Sequence, residues 1–273
     1  MSNHKIIFLI VLYKQKCDES DTVKSIIPQI GESLLYIWDN SPKKCDENDF
    51  FLKKNVNNYE YIVCTENHSL SRVYQNVIEN SIINHFSHLV ILDQDSVLGP
   101  DFVSNLEQSI DRNVKSVIIP KILVGSLLVS PSHSWKWFGW HIKNIGIMKQ
   151  NLVSAINSGV CIPLALFSID KFIYPCELKN YGTDVYLFEY IRNNKIEVVV
   201  SDSVVEHDLT FHKTNTNNES YLKSYIEHMN AMKTIFSKNF FTTILFEIYL
   251  VYHGLKLSLV RKDIRFLFWR FND

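Results

Sequence analysis

The feature that most constrains this chain is a recurring pair: a short, continuously apolar run that stops at once on a polar cluster. Residues 5–13 read KIIFLIVLY and stop at Tyr13-Lys14. Residues 33–41 read SLLYIWDNS and stop on Asp39-Asn40-Ser41. Residues 87–95 read SHLVILDQD and stop on Asp93-Gln94-Asp95. Apolar runs without polar alternation suit strands buried on both faces, as in parallel sheets. Residues 58–67 (NYEYIVCTEN) predict another strand. Between the strands, residues 18–30 (DESDTVKSIIPQI) begin with cap-type residues and continue at helical spacing until Pro28 limits the helix. Residues 69–86 (SLSRVYQNVIENSIINHF) read as a longer helix. Such alternation predicts an α/β fold, a mostly parallel sheet flanked by helices. Ligands of such sheets sit beyond the carboxyl ends of the strands, so the three polar clusters should converge on one crevice.

The rest of the chain is less regular. Residues 116–124 predict a strand, and residues 132–144 (SHSWKWFGWHIKN) read as aromatic and irregular. Residues 157–172 and 182–209 complete the second half with a helix and a strand. Residues 214–220 (TNTNNES) read as a polar linker, and the residues beyond 220 read as helical. The expected division is a domain over 1–214 and a helical region over 215–273, a C-terminal helical extension.

A length of 273 residues is ample for one large core. A net charge of −1 without a long basic run gives no reason to expect nucleic acid as a partner. Five scattered cysteines without a C-x-x-C pair read as reduced thiols of a cytoplasmic protein. The apolar N-terminal run lacks a small-residue cleavage site and reads as a strand, not a signal peptide. No uncharged window reaches the roughly 18 apolar residues of a membrane span. Residues 240–260 come closest but contain Glu247, His253 and Lys256. The expectation is a soluble protein, with peripheral contact at the inner face of the cell membrane left open.

Asp93-Gln94-Asp95 at a strand end supplies hard oxygen ligands for a divalent cation, Mg2+ or Mn2+, that bridges phosphates. The plainer reading is a turn with Asp at its favoured positions.

Taken in order, IFLIVLYK, YIWDNSP, ENHSLSRVYQN and LVILDQDS resemble the GT-A glycosyltransferases of the large inverting family. The variant Asp93-Gln94-Asp95-Ser96, with NSGVCIPLALF after it, is similar to the rhamnosyltransferase-like members, which use a dTDP-sugar donor. The resemblance runs over residues 5–209. It implies a GT-A fold and transfer of a sugar, rhamnose first, from a dTDP- or UDP-sugar to a glycan or lipid-linked glycan in bacterial surface polysaccharide synthesis. By the same resemblance Leu12 and Tyr13 line the nucleotide base and Asp39 holds the base or ribose. Asn67, Arg72 and Asn76 face the nucleotide. Asp93 and Gln94 meet the donor, and Asp95 coordinates the metal with Asp93. Ser158 and Gly159 lie toward the acceptor. This chain departs from the family in carrying Ser69 for a glycine and Arg72 at a usually small position. A guanidinium there could meet a phosphate bidentately, or simply be solvated.

Inverting transfer also needs a general base for the acceptor hydroxyl. Aligned on Leu178 and Arg192, Asp184 falls on the family's catalytic carboxylate, with Glu177 and Glu189 nearby. A helix N-cap is the structural alternative for Asp184. His207, after a β-rich run, falls where the family has a histidine that reaches the metal or diphosphate. No other histidines stand at zinc-ligand spacing. Trp137, in the WKWFGW stretch, could stack on an acceptor sugar or cover the core.

The tail combines Leu255, Leu259, Ile264, Phe268 and Phe271 with Lys256, Arg261, Lys262 and Arg270. That mixture suits a helix at an anionic membrane surface, a helix packed on the domain, or homodimer contacts. Two other function classes remain open from the residues alone. A sugar nucleotidyltransferase would usually open with a Gly-rich loop, which IVLYKQKCDES lacks. A non-catalytic nucleotide-sugar-binding protein would keep the paired aspartates yet need no base at Asp184.

Overall fold

The computed structural model describes residues 4–142, 150–167, 172–207 and 217–269. The first half alternates strands and helices: β1 (Ile6–Leu12), α1 (Asp21–Ile26), β2 (Leu34–Asp39), α2 (Asp46–Asn55), β3 (Tyr59–Val63), α3 (Leu70–Ile83) and β4 (His88–Asp93), of which α2 was not read from the sequence. Then come β5 (Ser96–Leu98), α4 (Phe102–Arg112), β6 (Val117–Val124), β7 (Leu127–Ser130), β8 (Ser132–Trp135) and β9 (Phe138–His141). The second half holds β10 (Val153–Ser154), β11 (Val160–Pro163), α5 (Thr183–Asn193), β12 (Val198–His207), α6 (Asn218–Phe236), α7 (Phe240–Arg261) and α8 (Arg265–Phe268).

Among the described residues nine of these strands form one sheet in the order β3-β2-β1-β4-β11-β6-β12-β5, with β7 on β6, and the other three form a second in the order β10-β8-β9. The run β3-β2-β1-β4 is parallel throughout, and β6 is parallel to β12. β11 enters antiparallel between β4 and β6, and β5 lies antiparallel on β12. Phe8, Leu9 and Ile10 of β1 are fully buried, as a strand covered on both faces requires. Each such side chain contributes roughly 1.5–3 kcal/mol, an upper estimate because the unfolded chain is already partly compact.

The helices arise from their apolar spacing. On α3, Val73, Tyr74, Val77 and Ile78 point inward, and the Ser69 side chain caps the helix by accepting from the Arg72 N–H. On α4, Phe102, Val103, Leu106 and Ile110 form the buried stripe. Residues 132–141, read as irregular, instead form the β8–β9 hairpin, with His133 opposite Trp140 and Trp135 opposite Phe138. The polar linker is shorter than its composition suggests, because Asn217 already caps α6 through the Glu219 N–H. The boundary expected between 214 and 215 lies outside the described residues, as do Arg270 and Phe271. Tyr225, Met229 and Met232 of α6 share one core with Leu178, Leu187 and Phe188. All five cysteines are free thiols, with Cys17 and Cys161 buried.

Candidate active site at the strand ends

The parallel register sets the ends of β1, β2 and β4 side by side, with Leu12 opposite Asp39 and Val11 opposite Asp93. The connections beyond them are stitched together. The Asn40 N–H donates to the Leu12 carbonyl at 2.8 Å, and the Tyr13 N–H to Gln94 Oε1 at 2.7 Å. The Lys14 N–H donates to Ser41 Oγ at 2.8 Å. The three polar clusters do meet at one rim.

The Asp93–Asp95 turn is braced from α1. Ser20 Oγ donates to the Gln94 carbonyl at 2.6 Å, and Thr22 Oγ1 sits against the Asp93 and Ser96 carbonyls while accepting from the Ser96 N–H. The antiparallel β5–β12 pairing places His207 opposite Ser96. As a result His207 Nδ1 lies 3.2 Å from Ser96 Oγ and 3.6 Å from Asp95 Oδ1, and Nε2 lies 3.8 Å from Asp93 Oδ2. Burial is the main cause of a raised Asp93 pKa. His207 opposes it, while the Asp95 and Asp184 carboxylates add to it.

Asp184 sits in the first turn of α5, one residue inside Thr183, and its Oδ1 accepts from the Val185 N–H at 2.8 Å. It is not the N-cap. Gly182 holds that position at φ 84°, and a Cβ there would lie 2.8 Å from the Ala231 Cβ. Thr183 Oγ1 accepts from Asn157 Nδ2 at 2.9 Å, which ties the helix start to the turn before β11. Burial raises the Asp184 pKa against its own backbone hydrogen bonds. The Asp184 charge also raises the pKa values of Asp93, Tyr74 and Tyr174, in each case after burial, so these groups share one neighbourhood. Glu189 is occupied by an ion pair with Arg192, whose Nη2 also reaches Ser134 Oγ at 3.1 Å. Glu177 lines a groove beside α6 with Lys179 and Glu227.

The remaining candidates divide into rim and interior. Tyr13 is 41% exposed, and Arg72 is exposed on the first turn of α3 with half-buried Asn76 one turn on. Asn67 is exposed at φ 50° and accepts from Asn40 Nδ2 at 3.3 Å. Leu12, by contrast, is a fully buried core residue and offers no surface to a base. Asp39 is fully buried too. Its carboxylate accepts from the Tyr61 hydroxyl at 2.6 Å, the Ser41 N–H at 3.1 Å and Asn48 Nδ2 at 3.4 Å. It therefore shapes the rim from below.

Ser158 and Gly159 do not face an acceptor. Ser158 is fully buried, with Oγ 2.7 Å from Ser96 Oγ and 3.4 Å from the Asp93 N–H. Gly159 has φ 87°, and a Cβ would stand 2.6 Å from Pro120 Cγ, so this turn into β11 needs glycine. Trp137 packs into the C-terminal helices, 5.9 Å from Phe236, 5.1 Å from Phe246 and 5.8 Å from Tyr249 between ring centroids. Trp135, Phe138 and Trp140 are the exposed rings of that hairpin. Sequence reasoning missed Ser20, Thr22 and Asn157. Ser20 and Thr22 carried only a helix-start signal, and Asn157 carried none.

Asp93, Asp95 and His207 are the candidate cation site. Among the described residues no three such side chains form a ready-made ligand cluster. The donor set still suits a hard divalent ion: two carboxylates with unbalanced charge and an imidazole, leaving positions for phosphate oxygens.

No protein-family model and no curated protein matches the sequence. Solved structures do. The chain is similar to "GalNAc-T7 with UDP, GalNAc and Mn2+", with 15% identity and a TM-score of 0.57 over 78% of this chain and 45% of that one. It is similar to S. aureus TarS, with 12% identity and a TM-score of 0.54 over 93% of this chain and 44% of that one. A third match is S. aureus TarS 1–349 in complex with UDP-GlcNAc, at 11% identity and a TM-score of 0.52, over 86% and 67%. The chain thus spans less than half the length of the first two. The likeness is one of fold: the curled, mostly parallel sheet flanked by helices is the GT-A arrangement.

Proposed function

We propose that this chain is a metal-dependent, inverting glycosyltransferase that moves a sugar from a nucleoside-diphosphate donor to the hydroxyl of a glycan or lipid-linked glycan. One observation carries the reading: Asp93, Asp95 and His207 meet at one strand-end rim, and Asp184 lies near enough to act electrostatically on Asp93. A non-catalytic binder would need the first group but not the second.

In this reading Tyr13, Gln94 and the Lys14 backbone shape the nucleotide side of the rim, with Asn67, Arg72 and Asn76 along the start of α3. Mg2+ or Mn2+, held by Asp95 and Asp93 with His207, would compensate charge on the diphosphate leaving group. Asp184 takes the acceptor hydroxyl proton as the acceptor oxygen bonds to the anomeric carbon. The bond from that carbon to the diphosphate breaks, its electron pair leaves with the nucleotide, and the configuration inverts. The raised pKa of Asp184 makes it a better proton acceptor than an ordinary exposed carboxylate.

The donor is proposed as dTDP-rhamnose, on the resemblance of Asp93-Gln94-Asp95-Ser96 and the stretch after Asn157. UDP-GlcNAc is the competing donor, because the TarS structure similar to this chain is a complex with it. A side-by-side calorimetric titration with manganese separates the two. Preference for the UDP-sugar would overturn the rhamnose assignment, and binding of neither would count against the whole reading.

A further inference from the structure

Helix α7 is long and apolar enough to cross a membrane by length and composition, despite Glu247 and Lys256. Its packing decides against spanning. Phe246, Leu250 and Gly254 are buried, and α8 folds back so closely that a Cβ on Gly254 would lie 2.7 Å from the Phe266 carbonyl oxygen. The Tyr225 ring of α6 stacks on His253 at 5.6 Å, and Lys233 pairs with Glu247 at 3.4 Å. One side of α7 is thereby fixed along the body of the protein.

The opposite side is exposed and apolar. Phe241, Ile244, Ile248, Val251, Leu255 and Leu259 recur every three or four residues and form one stripe, with Phe241 68% and Leu259 72% exposed. At 1.5 Å per residue the 22-residue helix is roughly 33 Å long. A continuous stripe of that length exceeds the scattered apolar residues and small patches that a monomer normally leaves in water.

The charge around the stripe is mainly positive. Residues 238–268 carry five cations, Lys238, Lys256, Arg261, Lys262 and Arg265, against two acids, in a chain whose net charge is −1. Both acids are neutralised within the protein: Glu247 by Lys233, and Asp263 by Arg265 at 2.7 Å. Lys238, Lys256 and Lys262 are exposed.

We propose that α7 lies flat in the headgroup region of a bilayer bearing anionic lipids, apolar stripe inward and flanking lysines on the headgroups. An exposed apolar stripe bordered by cations is the pattern that binds such surfaces. A second copy of the chain would cover the stripe equally well, but symmetric pairing would bring together two helices that each carry more cations than acids, with Glu247 already paired to Lys233. The inference rests on the helices alone and does not depend on the chemistry proposed for the strand-end site.

The test is co-sedimentation of the full chain with phosphatidylcholine vesicles and with vesicles containing about one-third phosphatidylglycerol. Binding to the anionic vesicles is expected, roughly ten-fold weaker to the neutral ones, and weaker as salt rises. Ile248→Ser with Leu255→Ser, and separately Lys256→Glu with Lys262→Glu, should each lower binding at least ten-fold without moving the melting temperature. The lipid and salt comparison on the unaltered chain decides the matter even where a variant misfolds. A chain that stays in the supernatant, or binds both vesicles equally, overturns the proposal. So does a dimer in sedimentation velocity that Ile248→Ser with Leu255→Ser dissociates, with no vesicle binding.

Discussion

The hydroxyls of Ser96 and Ser158 lie 2.7 Å apart, both fully buried, directly behind the Asp93–Asp95 turn. Ser96 also reaches His207 Nδ1 at 3.2 Å, so the pair links the Ser-Gly turn to the carboxylates and to the imidazole. If the proposed donor site is right, Ser158 supports it from behind.

Ser158→Ala should therefore weaken donor binding and lower kcat while leaving the acceptor KM within a few-fold of wild type. Removing the hydroxyl takes one of two partners from the buried Ser96 Oγ, at a cost of about 0.5–1.5 kcal/mol. A steady-state series in each substrate checks this. A selective rise in acceptor KM would restore the acceptor role.

Asp95→Ala should abolish transfer and remove metal-dependent binding of the nucleoside diphosphate. The carboxylate is the more exposed of the pair, at 56% against 31% for Asp93, and is better placed to meet an incoming ion with its phosphates. Calorimetry with and without manganese reads the effect, and near-normal turnover would sink the metal assignment. Asp93→Ala should chiefly weaken the donor.

Stability should fall on mild acidification, with His88 contributing. It is buried at the start of β4, beside Ser87 Oγ at 3.0 Å and the His4 ring at 5.4 Å. Burial, helped by His4, pushes its pKa down to about 4. The unfolded chain, with a histidine pKa of about 6.5, binds a proton that the folded chain refuses between those two values. The contribution is intact above pH 6.5 and erodes as pH falls toward 4, by about 2 kcal/mol at pH 5. Urea denaturation at pH 7 and pH 5 should show a smaller loss for His88→Gln than for wild type. Equal losses would place the proton elsewhere.

Much of this arrangement could be read in the chain because it depends on local pattern. The apolar runs ending at Tyr13, Asp39 and Asp93 are strands, and parallel pairing brings their ends together without further information. What stayed hidden depends on what packs where. Leu12 and Asp39 sit at the rim in sequence but inside it in space, because Asn48 and Tyr61 close over the carboxylate. Ser158 is buried because β11 enters antiparallel beside β4, a reversal that no residue spacing announces. Helix α4 went unread, although Phe102, Val103, Leu106 and Ile110 stand at helical spacing after the Gly-Pro break. Trp137 could not be separated by sequence from Trp135 and Trp140. The turn of the hairpin sends it into Phe246 and leaves the other two in solvent.

Asp184→Asn separates an enzyme from a binding protein. A general base acts on the acceptor, so its loss should spare the donor. The structure sharpens the choice of Asn: Asp184 is inside the first helical turn, its oxygen takes the Val185 N–H, and an amide oxygen can do the same. Gly182, not Asp184, occupies the cap, so folding should be little disturbed. Part of the raised pKa of Asp93 comes from the Asp184 charge, and removing that charge should if anything ease ionisation of Asp93. Donor affinity should hold within a few-fold or improve slightly, while transfer drops by about 10²–10⁴-fold. The assay needs a true acceptor, because slow hydrolysis of the donor by water could mask the loss. Near-native transfer by the variant would remove Asp184 from the chemistry. The Arg192 pair leaves Glu189 poorly placed to replace it, and Glu177 beside α6 would be tested next. Lost transfer together with lost donor binding would point to a structural role for the α5 terminus instead.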